Sequence, residues 1–189
     1  MSRRGPRAVH ERRTVEVGAA PFRLVAVADT HGRPHPLLDE RLAELAPAHI
    51  LHAGDVGDLA VLRGLEKRAP VTAVRGNIDP RDLPDSVTLE VGGGAELRFT
   101  ILLTHVAVAG PRLRADVGRL ARAEGASLVV CGHSHVPFAA HDGGLGVFNP
   151  GSVGPRRFQL PIVLGVIDVS ATGAAVRHVD CETGRVWRP

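Results

Sequence analysis

A chain of 189 residues, 44% hydrophobic and 23% charged, carries enough apolar material for one domain with a sizeable core and excludes a disordered tail-like protein. Its apolar runs, such as Ile162 to Ile167 with Gly165 inside, are far shorter than a bilayer-spanning helix needs. The net charge of +3 rests on dispersed arginines, with Lys67 the lone lysine, and five Phe, one Trp and no Tyr leave little to stack bases on, so a nucleic-acid surface is not expected.

Residues 1–13 are basic and aperiodic, which predicts a flexible N-terminal tail ahead of a single domain over 14–189. Ser2-Arg3-Arg4 is no twin-arginine export signal, because Gly5-Pro6 and Glu11-Arg12-Arg13 follow it where an apolar core belongs. Thr14 to Val17 is expected to pair with the run that begins at Phe22, across the Gly18 to Pro21 turn. Leu24 to Ala28 then reads as a fully buried strand that breaks into Asp29-Thr30-His31-Gly32. Asp29 and His31 are one residue apart and can face one point, while Gly32 lets the chain turn away.

After Pro34 and Pro36 comes a helix with Leu37, Leu38, Leu42 and Leu45 on one face, stopping before Pro47. A strand over Ile50 to Ala53 ends in Gly54-Asp55, a helix is expected over Val56 to Lys67, and a strand over Val71 to Val74 ends in Arg75-Gly76-Asn77-Ile78-Asp79-Pro80. Strand, polar turn and helix in repetition predict parallel strands with crossover helices, whose ligands sit beyond the carboxyl ends of the strands.

The second half is richer in strands. Val87 to Val91 and Leu97 to Leu103 are strand-like, the latter running into Thr104-His105, and a helix is expected over Arg112 to Glu124, stopped by Gly125. Leu128 to Cys131 is a buried strand ending in Gly132-His133-Ser134-His135. Leu145 to Asn149, the turn Asn149-Pro150-Gly151-Ser152, Ile162 to Asp168 and Ala174 to Val179 complete the chain. Cys131 and Cys181 form no framework and suggest a reducing, cytoplasmic setting.

Strand ends thus deliver Asp29, His31, Asp55, Asn77, His105, His133 and His135: three oxygen donors and four imidazoles without a thiolate. Such a set suits Mn²⁺, Fe, Ni²⁺ or Zn²⁺ and does not suit a closed structural zinc site. These ligands exceed the need of one four-coordinate ion; two ions sharing one carboxylate would use them all and leave positions open. His52 reads as a core histidine or as a support of the site. Arg75, Arg81, Arg156 and Arg157 are candidates for substrate phosphate, against solvated or structural roles for the same side chains.

The ordered blocks D-x-H, G-D, G-N-x-D, H and G-H-x-H, over Phe22 to about Asp180 and with the Asn149-Pro150-Gly151-Ser152 turn, resemble the calcineurin-like metallophosphoesterases, especially the small stand-alone YfcE-type phosphodiesterases. The resemblance implies an α/β fold, a four-layer αββα sandwich of two mixed sheets flanked by helices. It implies that Asp29, His31, Asp55 and His135 hold one divalent transition-metal ion and that Asp55, Asn77, His105 and His133 hold a second, with Mn²⁺ foremost and Asp55 bridging. A hydroxide bridging the two ions would attack a small-molecule phosphate ester in line, with no covalent side-chain nucleophile. Asn77 would also touch substrate, and Asp79 would support the ligands rather than act as the acid.

Two positions depart from the pattern. The larger phosphatases have histidine where this chain has Ile78, and the small relatives usually have glycine where it has Val106. The alternatives are a non-catalytic scaffold, as the retromer scaffold subunit of the same superfamily is, and a phosphomonoesterase or nuclease. No membrane association is expected, and a homo-oligomer is left open.

Overall fold

The computed structural model describes residues 8–18, 21–92 and 98–188. In chain order it runs β1 (His10–Glu16), β2 (Phe22–Val27), α1 (Leu38–Leu45), β3 (His49–His52), α2 (Ala60–Leu65), β4 (Val71–Ala73), β5 (Ser86–Gly92), β6 (Arg98–Thr104), β7 (Val108–Ala109) and β8 (Arg112–Leu113). Then follow α3 (Ala115–Ala123), β9 (Leu128–Val130), β10 (Phe138–Asp142), β11 (Leu145–Asn149), β12 (Val163–Ser170), β13 (Gly173–Asp180) and β14 (Val186–Trp187).

The strands form two six-stranded mixed sheets, β14-β13-β12-β2-β3-β4 and β1-β5-β6-β9-β11-β10, beside a β7-β8 ribbon. Successive residues of a strand point to opposite faces, so a strand covered on both sides is apolar along most of its length. In β2, Leu24 and Ala26 enter the core between the sheets with Leu89, Ile101, Leu103 and Phe148 of the other sheet. Val25 and Val27 point outward to Leu38 and Leu42 of α1 and Val61 and Leu65 of α2. On the far side, Leu102 and Val129 meet Val117 and Ala121 of α3. The layers are therefore helix, sheet, sheet, helix, as the resemblance implied. No helix among the described residues is long and apolar enough to cross a membrane.

The parallel order β2-β3-β4 is that of the expected crossover units. Four expectations need correction. The first strand starts at His10, inside the stretch read as a flexible tail, and it pairs in parallel with β5 rather than with β2. Both edges of β2 are already taken, by β12 and β3, whereas β5 has a free edge. Arg12 is held there by Glu90 and Glu124, and Val15 is buried. Residues 1–7 and part of the Gly18 to Pro21 turn lie outside the described residues.

The helix expected from Val56 begins only at Ala60, because the amides of Val56 and Gly57 are bound by the Asp79 carboxylate and Gly57 has φ +82°. The helix expected from Arg112 begins at Ala115, since Arg112 and Leu113 pair as β8 with β7 and the Leu113 amide donates to Asp142. Finally, β10 was not anticipated; its residues are largely exposed and it forms a hairpin with β11.

Candidate metal centre

The carboxyl ends of β2, β3, β4, β6 and β9 meet along one edge of the sandwich, and backbone hydrogen bonds stitch the loops there together. Asp29 N donates to Gly54 O (3.0 Å), His31 N to Asp55 O (2.9 Å), Gly32 N to Val56 O (2.7 Å) and Gly132 N to His105 O (3.0 Å). Gly76 packs so tightly against the Asp55 loop that a Cβ on it would lie 2.1 Å from Asp55 N, which no side chain tolerates.

Five of the candidate ligands lie in one cluster. His31 Nε2 is 3.2 Å from His135 Nε2 and 3.9 Å from Asp55 Oδ2, and His135 Nε2 is 3.4 Å from Asp29 Oδ1. On the other side of Asp55, its Oδ1 lies 3.5 Å from His105 Nε2. Two ligand groups are defined within 4.8 Å: Asp29, His31 and His135, and Asp29, Asp55 and His105. His133 adjoins them, its ring edge-on to His105 at 5.2 Å and its amide donating to Asp29 Oδ2 at 3.1 Å, though its side chain is exposed. Asn77 is exposed on the rim, where it lines a cavity of about 460 Å³ together with His105 and Gly76.

The donor set fits cations. His105 Nδ1 donates to Ala53 O at 2.8 Å, which fixes the tautomer and leaves Nε2 with its lone pair toward Asp55. That Nε2 and Asp29 Oδ1 are both buried without a hydrogen-bond partner. A buried polar atom without a partner is expensive, and a bound ion removes the penalty. Burial, and after it the nearby Asp55, pushes the Asp29 carboxyl up to about 8. Burial also lowers the imidazoles of His31 and His105 and takes His135 down to about 4, so their neutral, ligating forms are favoured.

Backbone strain concentrates at the same place. Asp29, His31, Asp55, His133 and His135 all have positive φ, between 48° and 72°, and only Ala46 and Phe158 share this among the other described non-glycine residues. Such conformations are kept where surrounding structure over-determines them.

Three supports hold the cluster. Asp79 is buried and accepts from Val56 N (3.0 Å), Gly57 N (2.8 Å) and Gly76 N (2.8 Å), joining the loops after β3 and β4. Thr30, between Asp29 and His31, donates to Val56 O at 2.9 Å and meets His52 Nε2 at 3.0 Å, so His52 is a core histidine that also positions the site. Asn149 Nδ2 donates to Gly132 O (2.8 Å), while Ser152 Oγ donates to Asp29 O (3.1 Å). Sequence reasoning noted that turn without giving it work to do; a polar residue before Pro-Gly and a serine after it was the available signal.

The arginines separate. Arg75 is bound to Asp85, Arg156 to Glu182 and Leu160 O, and Arg81 is exposed. Arg157 alone of the four reaches the cluster, with Nη2 3.2 Å from His31 Nε2.

The model of the calcineurin-like phosphoesterase superfamily domain matches residues 22–172, and the chain belongs to that family. It is 34% identical over 116 residues to a probable metallophosphoesterase of Methanocaldococcus jannaschii, a stretch covering 61% of this chain and 58% of that relative, under two thirds of its length. A predicted phosphoesterase from Streptococcus pneumoniae superposes with a TM-score of 0.69 at 21% identity over 90% of this chain and 95% of that one. Vacuolar protein sorting 29 from Cryptosporidium parvum gives a TM-score of 0.69 at 17% identity, covering 88% of this chain and 95% of that chain. The phosphoesterase YfcE from E. coli gives 0.59 at 19% identity, covering 88% and 97%. Membership of this family implies divalent metal ions, and the candidate ligand groups here are of the matching chemistry.

Proposed function

We propose that this protein is a dinuclear-metal phosphodiesterase acting on a small-molecule phosphate ester in the cytoplasm. The observation that carries the proposal is the pair of buried donors without a hydrogen-bond partner, Asp29 Oδ1 and His105 Nε2, grouped with Asp55. Two divalent transition-metal ions, Mn²⁺ before Fe, Ni²⁺ or Zn²⁺, supply when bound an acidified water and positive charge for the phosphoryl oxygens. Asp29, His31 and His135 would hold one ion and Asn77, His105 and His133 the other, with Asp55 shared.

The chain's own contribution is placement and charge. Asp79 and Ser152 fix the loops that carry these ligands, and no serine or cysteine is assigned as nucleophile. The cavity beside Asn77 and His105 offers room for the ester's organic group. Ile78, 53% exposed on the rim, has no proton to give a leaving group, which favours esters whose leaving group is a weak base.

The test is Mn²⁺ binding by calorimetry together with hydrolysis of bis-p-nitrophenyl phosphate, both expected to vanish in Asp55→Ala. The second reading is a scaffold, favoured by the equally close superposition on vacuolar protein sorting 29. A protein that binds Mn²⁺ tightly yet hydrolyses neither diesters, monoesters nor oligonucleotides would establish it.

A further inference from the structure

Adjacent arginines on the segment after the Asn149–Ser152 turn have different surroundings. Arg156 is neutralised by Glu182 and donates to Leu160 O at 3.0 Å. Arg157 has no carboxylate partner among the described residues and lies with Nη2 3.2 Å from His31 Nε2, the nitrogen that also faces His135. A guanidinium stays charged and offers donors only, so it cannot ligate a cation. Beside two divalent ions it is repelled unless an anion lies between them.

The segment is built to hold it there. Ser152 Oγ is bound to Asp29 O, Gly154 N donates to Ser152 Oγ at 3.2 Å, and a Cβ on Gly154 would stand 2.2 Å from Asp29 O. The chain therefore leaves the Asp29 loop at a fixed point. Beyond Arg157, Leu160 N donates to Arg157 O at 3.1 Å, and Arg156 ties the segment to Glu182. Arg157 is thus held at the His31 edge of the cluster, and the cavity opens at the His105 edge.

We infer that Arg157 is a substrate-binding residue that clamps the non-bridging oxygens of the phosphoryl group and rests on His31 when no anion is bound. The inference rests on the metal centre proposed above and adds to it the group that reads the substrate's charge. A planar fork matches two phosphoryl oxygens, which a point-charge ammonium does not.

The test uses the full chain loaded with Mn²⁺ and titrated with inorganic phosphate in a calorimeter. Arg157→Ala is expected to weaken phosphate binding by about 10- to 100-fold. Arg157→Lys should recover only part of that loss, and the Mn²⁺ affinity of both variants, measured without phosphate, should be equal to or above that of the parent. The side chain is exposed, so neither substitution should change the melting temperature appreciably. Phosphate binding unchanged in Arg157→Ala, with Mn²⁺ affinity raised, would overturn the clamp and leave Arg157 as a placeholder on His31. Failure of the parent protein to bind Mn²⁺ would instead overturn the metal centre itself, and the clamp with it.

Discussion

Asp79 sits under the candidate centre, and its replacement separates structural support from direct ligation. Its Oδ2 accepts from Val56 N and Gly76 N, and its Oδ1 from Gly57 N. Val56 and Gly76 are buried, whereas Gly57 is exposed and can turn its amide to water. In Asp79→Ala two buried amides lose their acceptor at about 1–3 kcal/mol each, so a loss of roughly 2–6 kcal/mol is expected. In Asp79→Asn the amide oxygen can keep both buried donors, with its NH₂ turned toward Gly57, and the loss should be nearer 1–2 kcal/mol. For a chain of this size each kcal/mol lowers the melting temperature by about 2–4 °C. Thermal melts of the metal-free proteins measure this, and calorimetry should show Mn²⁺ affinity reduced by about 10- to 100-fold in the alanine variant. Equal melting temperatures for Asp79→Ala and the parent would refute the reasoning, as would an asparagine variant less stable than the alanine one.

Further outcomes follow from other residues. Asp55→Asn should raise the melting temperature of the metal-free protein, because the Asp55 charge adds to the burial that keeps the Asp29 carboxyl protonated at a cost to folding; it should also abolish the gain of about 2.7 kcal/mol expected of the parent at an Mn²⁺ concentration 100 times its Kd. His49 and His52 are buried and burial holds both near about 4, below their ordinary 6.5, so the unfolded chain takes up protons first. Their stabilising effect is complete above pH 6.5 and is lost as pH falls toward 4, up to about 3 kcal/mol for each, and His49→Gln should flatten the pH dependence of urea unfolding. Ile78→His, on an exposed rim position, should raise hydrolysis of alkyl phosphodiesters by roughly 100-fold while changing that of bis-p-nitrophenyl phosphate little; an equal effect on both would show that proton donation is not what the parent lacks.

Much of the sheet that carries the centre was legible because Leu24 to Ala28 is apolar on both faces, short apolar runs recur at Ile50-Leu51 and around Val71 to Val74, and each run ends abruptly in polar residues. The ligand loops were legible for the same reason, together with the order of their motifs. Pairing partners were not. Val15 marks β1 as a strand, but its neighbour is decided by which edge is free, and the edges of β2 are filled by strands from both ends of the chain. The first turn of the helix after Asp55 was misjudged because its amides are captured by a carboxylate 23 residues further on in the case of Val56. Arg157 was one cation among many until the fold placed it against His31.

The left-handed backbone at Asp29, His31, Asp55, His133 and His135 bears on how such a protein changes over generations. Exchange for glycine at those turns would relax the main chain, so backbone strain does not oppose the loss of these side chains. The double sheet beneath, whose apolar layers do not depend on those side chains, would keep its packing without them. Chemistry on this sandwich is therefore easier to lose than the sandwich itself.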